Sequence, residues 1–136
     1  LLVVEYVVVT EKESVEIALN KISFDLMSND LDAILKHVDP LATKIVQRAK
    51  TYLPRVEIHD VKITSRVEVK ILRFRGMRPK ATAEFYGMIQ GSDLGGGMQN
   101  YEYRRMFVVT MIRDQDTRWL VVDLQERNPI SGERLR

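Results

Sequence analysis

The 136-residue chain contains no cysteine. Disulfides, thiolate metal sites and cysteine nucleophiles are therefore excluded, while the compartment stays open. Histidine is scarce too. With only His37 and His59 present, a zinc site would need carboxylates to complete its ligand set, and neither a metal nor another cofactor is expected. A dominant charge is also missing: 21 basic and 19 acidic residues leave a formal net charge of +2. That falls short of the dense basic face of a dedicated nucleic-acid binder, so no specific nucleic-acid partner is expected. The only long apolar run, residues 1–9, is interrupted by Glu5 and is too short to span a bilayer, which takes about 20 apolar residues. Gly95-Gly96-Gly97 is followed by no lysine and hydroxyl residue, so it is not a phosphate loop. The chain also lacks a nucleophile elbow.

What is present is an order of elements. Helical patterns run to Pro54, and strand patterns follow to about Arg127. Such segregation predicts an α+β domain with helices on one face of an antiparallel sheet. The length suits one domain, spanning residues 10–127 and followed by a polar tail over 128–136. Because the chain opens on Leu1, it is expected to be a piece of a longer product. Residues 1–9 are then either a strand or extended arm packed on the domain, or the end of a trimmed membrane anchor or signal segment. The second alternative would put the domain outside the cytoplasm, and the first is compatible with a cytoplasmic protein.

Thr10-Glu11-Lys12-Glu13 reads as a capping box. Behind it Val15, Leu19, Ile22 and Leu26 recur at helical spacing, widened by Ala18 and Met27. Ser28-Asn29-Asp30 should end this helix and cap a short second one carrying Leu31, Ile34, Leu35 and Val38. Asp39-Pro40 signals the start of a third helix, with Leu41, Ile45, Ala49 and Leu53 as its stripe and Pro54 as its end. In the first strand Val56 and Ile58 have one parity, Val61 and Ile63 the other. A bulge near His59-Asp60 would return all four to one face. Val67, Val69 and Ile71 alternate with charged neighbours, as do Ala81, Ala83, Phe85, Gly87 and Ile89 with polar ones. The last two strands are apolar on both faces. Tyr101, Tyr103, Arg105, Phe107, Val109 and Met111 share one face, and Met106, Val108 and Ile112 the other. Trp119, Val121 and Asp123 likewise oppose Leu120, Val122 and Leu124. Strands of this kind are covered on both sides. The helices can cover one face, and a second copy is the simplest cover for the other, through Met106, Val108, Ile112, Leu120 and Val122.

This layout, three helices and a proline just before a run of antiparallel strands, resembles the nuclear transport factor 2-like superfamily, which includes polyketide-cyclase-like and ketosteroid-isomerase-like proteins. Ser28-Asn29-Asp30-Leu31-Asp32-Ala33-Ile34-Leu35 resembles the step between its first two helices. Arg118-Trp119-Leu120-Val121-Val122-Asp123 resembles its final strand. The resemblance covers roughly residues 10–127. It implies three helices on a strongly bent sheet of four to five strands, forming a cone that is often open at one end, and dimerisation through the outer sheet face. Fold analogy alone does not supply a function.

For acid–base chemistry in such a cone, a carboxylate or histidine must face an apolar interior that moves its pKa toward neutrality. Asp123, sharing a face with Trp119 and Val121, is the best-placed carboxylate, with Arg105 as its partner; a structural ion pair explains the same residues. His59 is a second candidate if the bulge turns it inward. The base, tyrosine and second acid of a ketosteroid isomerase cannot be assigned, although Tyr86, Tyr101 and Tyr103 offer hydroxyls. Ligand binding needs less: Phe24, Leu26, Phe85, Phe107, Met111 and Trp119 would line a pocket for a small apolar molecule, or else fill the interior as core. Finally, residues 70–80 hold five cations and Phe74. Such a run suits single-stranded nucleic acid, an anionic membrane surface, or simply a solvated hairpin whose charges protect a sheet edge. The sequence therefore favours a non-catalytic binding or interaction domain, dimeric and tethered at a membrane, over an isomerase, cyclase or dehydratase.

Overall fold

A 26-residue helix, α1 (Leu2–Met27), opens the fold. The computed structural model describes residues 2–97 and 99–128, and the side chains from residue 11 onward. Two shorter helices follow, α2 (Leu31–Leu35) and α3 (Thr43–Tyr52), then a single 3₁₀ turn over Leu53–Arg55. Five strands follow among the described residues: β1 (Val56–Ile63), β2 (Glu68–Leu72), β3 (Lys80–Asp93), β4 (Tyr101–Arg113) and β5 (Trp119–Arg127). The α+β class and the helices-first order are as the sequence pattern predicts. Among the described residues no helix is long and apolar enough to cross a membrane.

Residues 2–9 are the opening turns of α1, not a strand or extended arm. The chain has no proline or glycine before Pro40, so nothing stops the helix from propagating toward its N-terminus. Valine costs only about half a kcal/mol per helical position. The capping box at residues 10–13 therefore does not form, since Thr10 is inside the helix. The polar tail expected from residue 128 lies, beyond Asn128, outside the described residues.

The first helix–helix step follows the expected pattern. Asn29 takes the left-handed conformation (φ 56°), which asparagine tolerates better than most residues. Asp30 caps α2 by accepting from the Ala33 N–H at 3.2 Å. The second step does not. Asp39 caps nothing, because residues 37–39 pair in parallel with β5: the Val121 N–H donates to the His37 carbonyl at 2.8 Å, and the Asp39 N–H donates to the Val121 carbonyl at 2.9 Å. The Asp39 carboxylate instead accepts from the Leu41 N–H at 2.9 Å. Helix α3 is thereby delayed to Thr43, and Leu41 is 88% exposed rather than part of its stripe.

The sheet is antiparallel and open. β1 and β2 lie one after the other along the same edge of β3, which pairs on its other edge with β4, and β4 pairs with β5. In β1 the register shifts between Ile58 and Asp60, leaving His59 as the extra residue. Val56, Ile58, Val61 and Ile63 then all pair with odd-numbered residues of β3 and share its inner face. A second shift separates Thr110 from Met111 on β4, opposite an unpaired Val122 on β5. The core lies between the helices and the inner face. It joins Val15 and Leu19 of α1 and Val38 to Val69, Ala81, Ala83, Val109, Met111, Trp119 and Val121.

Candidate functional site

The inner sheet face changes character along its length. At one end the core residues above fill it. Toward the other end β4 presents Tyr103 and Arg105, four and two residues before Phe107, on the same face. There β5 contributes Glu126, which pairs with Phe107. The Tyr103 hydroxyl donates to Glu126 Oε2. Arg48 of α3 approaches Glu126 Oε1 at 3.9 Å. The Arg105 guanidinium lies 4.2 Å from the centroid of the Tyr103 ring, and its Nη1 donates to the Arg104 carbonyl at 2.7 Å. Its Nε is buried without a hydrogen-bond partner among the described residues. Burial, and then the hydrogen bond to and charge of Glu126, push the Tyr103 phenol up to about 12. This hydroxyl is thus a committed donor, held beside a carboxylate and a cation.

Glycines shape the same region. A Cβ on Gly87 would meet the Phe107 ring at 2.9 Å, and one on Gly91 would meet the Glu57 carbonyl at 2.7 Å. Both positions are closely packed against their neighbours, and a side chain would force them apart.

Asp123 is elsewhere. Since Val122 is skipped in the pairing, Asp123 sits opposite Thr110, and Leu124 is opposite Val109 with its side chain against the core. The face shared with Trp119 and Val121 is therefore continued by Leu124 and Glu126, not by Asp123. Asp123 accepts from Gln125 Nε2 at 3.4 Å, and the expected pair with Arg105 does not form. His59, on the β1 bulge, is exposed and within 2.9 Å of Ser92 Oγ.

The expected pocket residues separate into two groups. Met111 is fully buried, Trp119 is 5% exposed and Phe107 7% exposed. Phe85 packs on the core, its ring centroid 5.8 Å from that of Phe107. Phe24 does not join them and is 69% exposed. It borders an open groove of about 460 Å³ on the outer side of α1, with Ile17, Asn20, Lys21, Asp25 and His37. His37 Nε2 lies 2.6 Å from Asp25 Oδ2 there, an ion pair when the ring is protonated. Of the expected interface residues, Val108 and Leu120 are already buried within the chain, whereas Met106, Ile112 and Val122 are half-buried.

Sequence reasoning missed Glu126 and Arg48. The signal for Glu126 was the bulge at Val122, and nothing in the apolar pattern marks it. Among the described residues no group of three or more histidines and carboxylates is placed to hold a metal ion. Compared with known proteins, the chain matches no family model and no curated relative.

Proposed function

We propose that this chain is a non-catalytic interaction domain of the nuclear transport factor 2-like type. In this reading the bent sheet and helices form a cone, the outer face of β4 and β5 pairs with a second copy, and the N-terminal side is held at a membrane. The observation that carries the proposal is the distribution of apolar side chains over β4 and β5. The inner set, Phe107, Val109, Met111, Trp119 and Val121, is consumed as core. The outer set leaves Met106 and Ile112 half-exposed beside Val108 and Leu120. Apolar residues left at a surface in this way favour a protein partner.

Two features speak against an isomerase, cyclase or dehydratase. Neither Asp123 nor His59 faces the interior, and the inward Tyr103 is displaced away from neutrality rather than toward it. Such chemistry wants a group poised near the working pH.

Sedimentation equilibrium at micromolar concentration tests the reading. The wild-type chain is expected to be a dimer. Met106→Glu with Ile112→Glu is expected to be a monomer with an unchanged circular dichroism spectrum. A wild-type chain that remains a strict monomer would overturn the proposal.

A further inference from the structure

Beyond the last β2–β3 pair, Leu72 with Lys80, the hairpin tip belongs to neither the core nor the sheet faces. It closes in a tight turn: the Met77 N–H donates to the Phe74 carbonyl at 3.0 Å, and Gly76 supplies the left-handed third position (φ 78°) that a type II turn requires. Three large apolar side chains project from this tip. Leu72 is 41% exposed, Phe74 57% and Met77 70%. Lys70, Arg73, Arg75, Arg78 and Lys80 surround them, all exposed, and no acid lies between Glu68 and Glu84. Protecting a sheet edge accounts for the cations. It does not account for leucine, phenylalanine and methionine held out in solvent at one tip.

An ion pair to a buried glutamate fixes where this tip lies. Glu11 of α1 is 6% exposed, and its Oε1 is bonded by Arg73 and lies 3.6 Å from Arg113 Nη1. Among the described residues Arg73 alone of the five cations is tied up in this way. The contact sets the hairpin beside the early part of α1. From Glu11 the helix runs back to Leu2, nine residues or about 13 Å at 1.5 Å per residue, through a sequence with only one charged residue, Glu5. An apolar helix start and a basic, apolar-tipped hairpin thus share one end of the domain.

We propose that this end docks on an anionic lipid surface, with Phe74 and Met77 entering the headgroup layer and Lys70, Arg75, Arg78 and Lys80 meeting lipid phosphates. Charge complementarity selects this occupant. The four free cations attract an anionic surface, and lipid beneath the headgroups gives the apolar tip somewhere dry to go. The proposal does not depend on the dimer, since a monomer carries the same hairpin.

Vesicle co-sedimentation of the full chain provides the test. Vesicles of phosphatidylcholine alone are compared with vesicles holding about a third phosphatidylserine, at low and at physiological salt. Retention is expected on the anionic vesicles only. Arg75→Glu with Arg78→Glu should weaken it on the order of 30-fold or more, since each cation near the surface is worth roughly a factor of five. Phe74→Ser with Met77→Ser should weaken it while leaving its salt dependence intact. All four positions are exposed, so unchanged melting curves will show that the variants fold. Equal retention on neutral vesicles, no retention of the wild type, or full retention of both variants would overturn the proposal. So would binding of a single-stranded oligonucleotide without binding of anionic vesicles.

Discussion

Replacing Asn29 tests how the helices are fastened to the sheet. Its side-chain amide does what a neighbouring strand would do: Oδ1 accepts from the Ile58 N–H at 2.8 Å, and Nδ2 donates to the Ile58 carbonyl at 3.0 Å. Ile58 stands immediately before the bulge at His59, on the edge of β1 turned away from β3. Asn29→Gly removes both bonds and keeps the left-handed backbone unstrained. At a net 0.5–1.5 kcal/mol per bond, the expected loss is about 1–3 kcal/mol. Asn29→Ala should lose about 1–2 kcal/mol more, because alanine resists φ 56°. Asn29→Asp separates the donor from the acceptor. The carboxylate can still accept from the Ile58 N–H, but its second oxygen faces the Ile58 carbonyl with no proton between them. Its folded-state pKa should therefore rise above the ordinary value of about 3.9. A group raised in this way stabilises the fold below its unfolded pKa and loses that contribution as pH rises through the folded one. The aspartate variant should accordingly approach wild-type stability only in acid. Equilibrium unfolding in urea measures each difference, and hydrogen exchange at the Ile58 amide localises it. An Asn29→Gly variant with the wild-type urea midpoint and an equally protected Ile58 amide would refute the argument.

Two further predictions concern single side chains. Ultraviolet titration of the five tyrosines should show one phenol ionising near pH 12, absent in Tyr103→Phe; a wild-type titration with no such component would contradict the burial and Glu126 contact assigned to it. Because that pKa is raised, the stabilisation it reports is present below about pH 10, the ordinary tyrosine value, and is lost between there and about pH 12. Thr117, a β-branched residue at φ 63° in the β4–β5 turn, should gain about 1 kcal/mol or somewhat more on Thr117→Gly, measured by urea unfolding. A destabilised glycine variant would mean that the hydroxyl or methyl contributes more than the strain costs.

Much of the fold can be read from spacing alone. Val15, Leu19 and Ile22 form the buried stripe of α1 because an amphipathic period needs no tertiary information. Phe24 could have been excluded on the same ground. It stands nine residues after Val15, about 2.5 turns at 3.6 residues per turn, and so on the opposite side of the helix. The start of α3 was not readable. Asp39-Pro40 is a good local signal, but the backbone of residues 37–39 is claimed by β5, more than 80 positions away in sequence. Local preference of this kind yields to a long-range ladder bond.

The two bulges show why one half of the candidate site was legible and the other was not. In β1 a plain alternation would have sent Val61 and Ile63 outward, away from Val56 and Ile58. That conflict is visible in the sequence, and the extra residue at His59 resolves it. In β5 the residues on both parities are apolar: Trp119 and Val121 on one, Leu120, Val122 and Leu124 on the other. Skipping Val122 replaces one aliphatic by another on the inner face, so the hydrophobic pattern is equally satisfied with or without the skip. Only the carboxylates register the difference. Without it Asp123 would face the interior and Glu126 the outside; with it the two exchange places, and Glu126 meets Tyr103 and Arg48. A one-residue slip inverts every subsequent side chain, so the identity of an inward charge on a two-sided apolar strand is set by register. The polar end of the inner face follows from pairing between β4 and β5, which the local pattern of β5 does not encode.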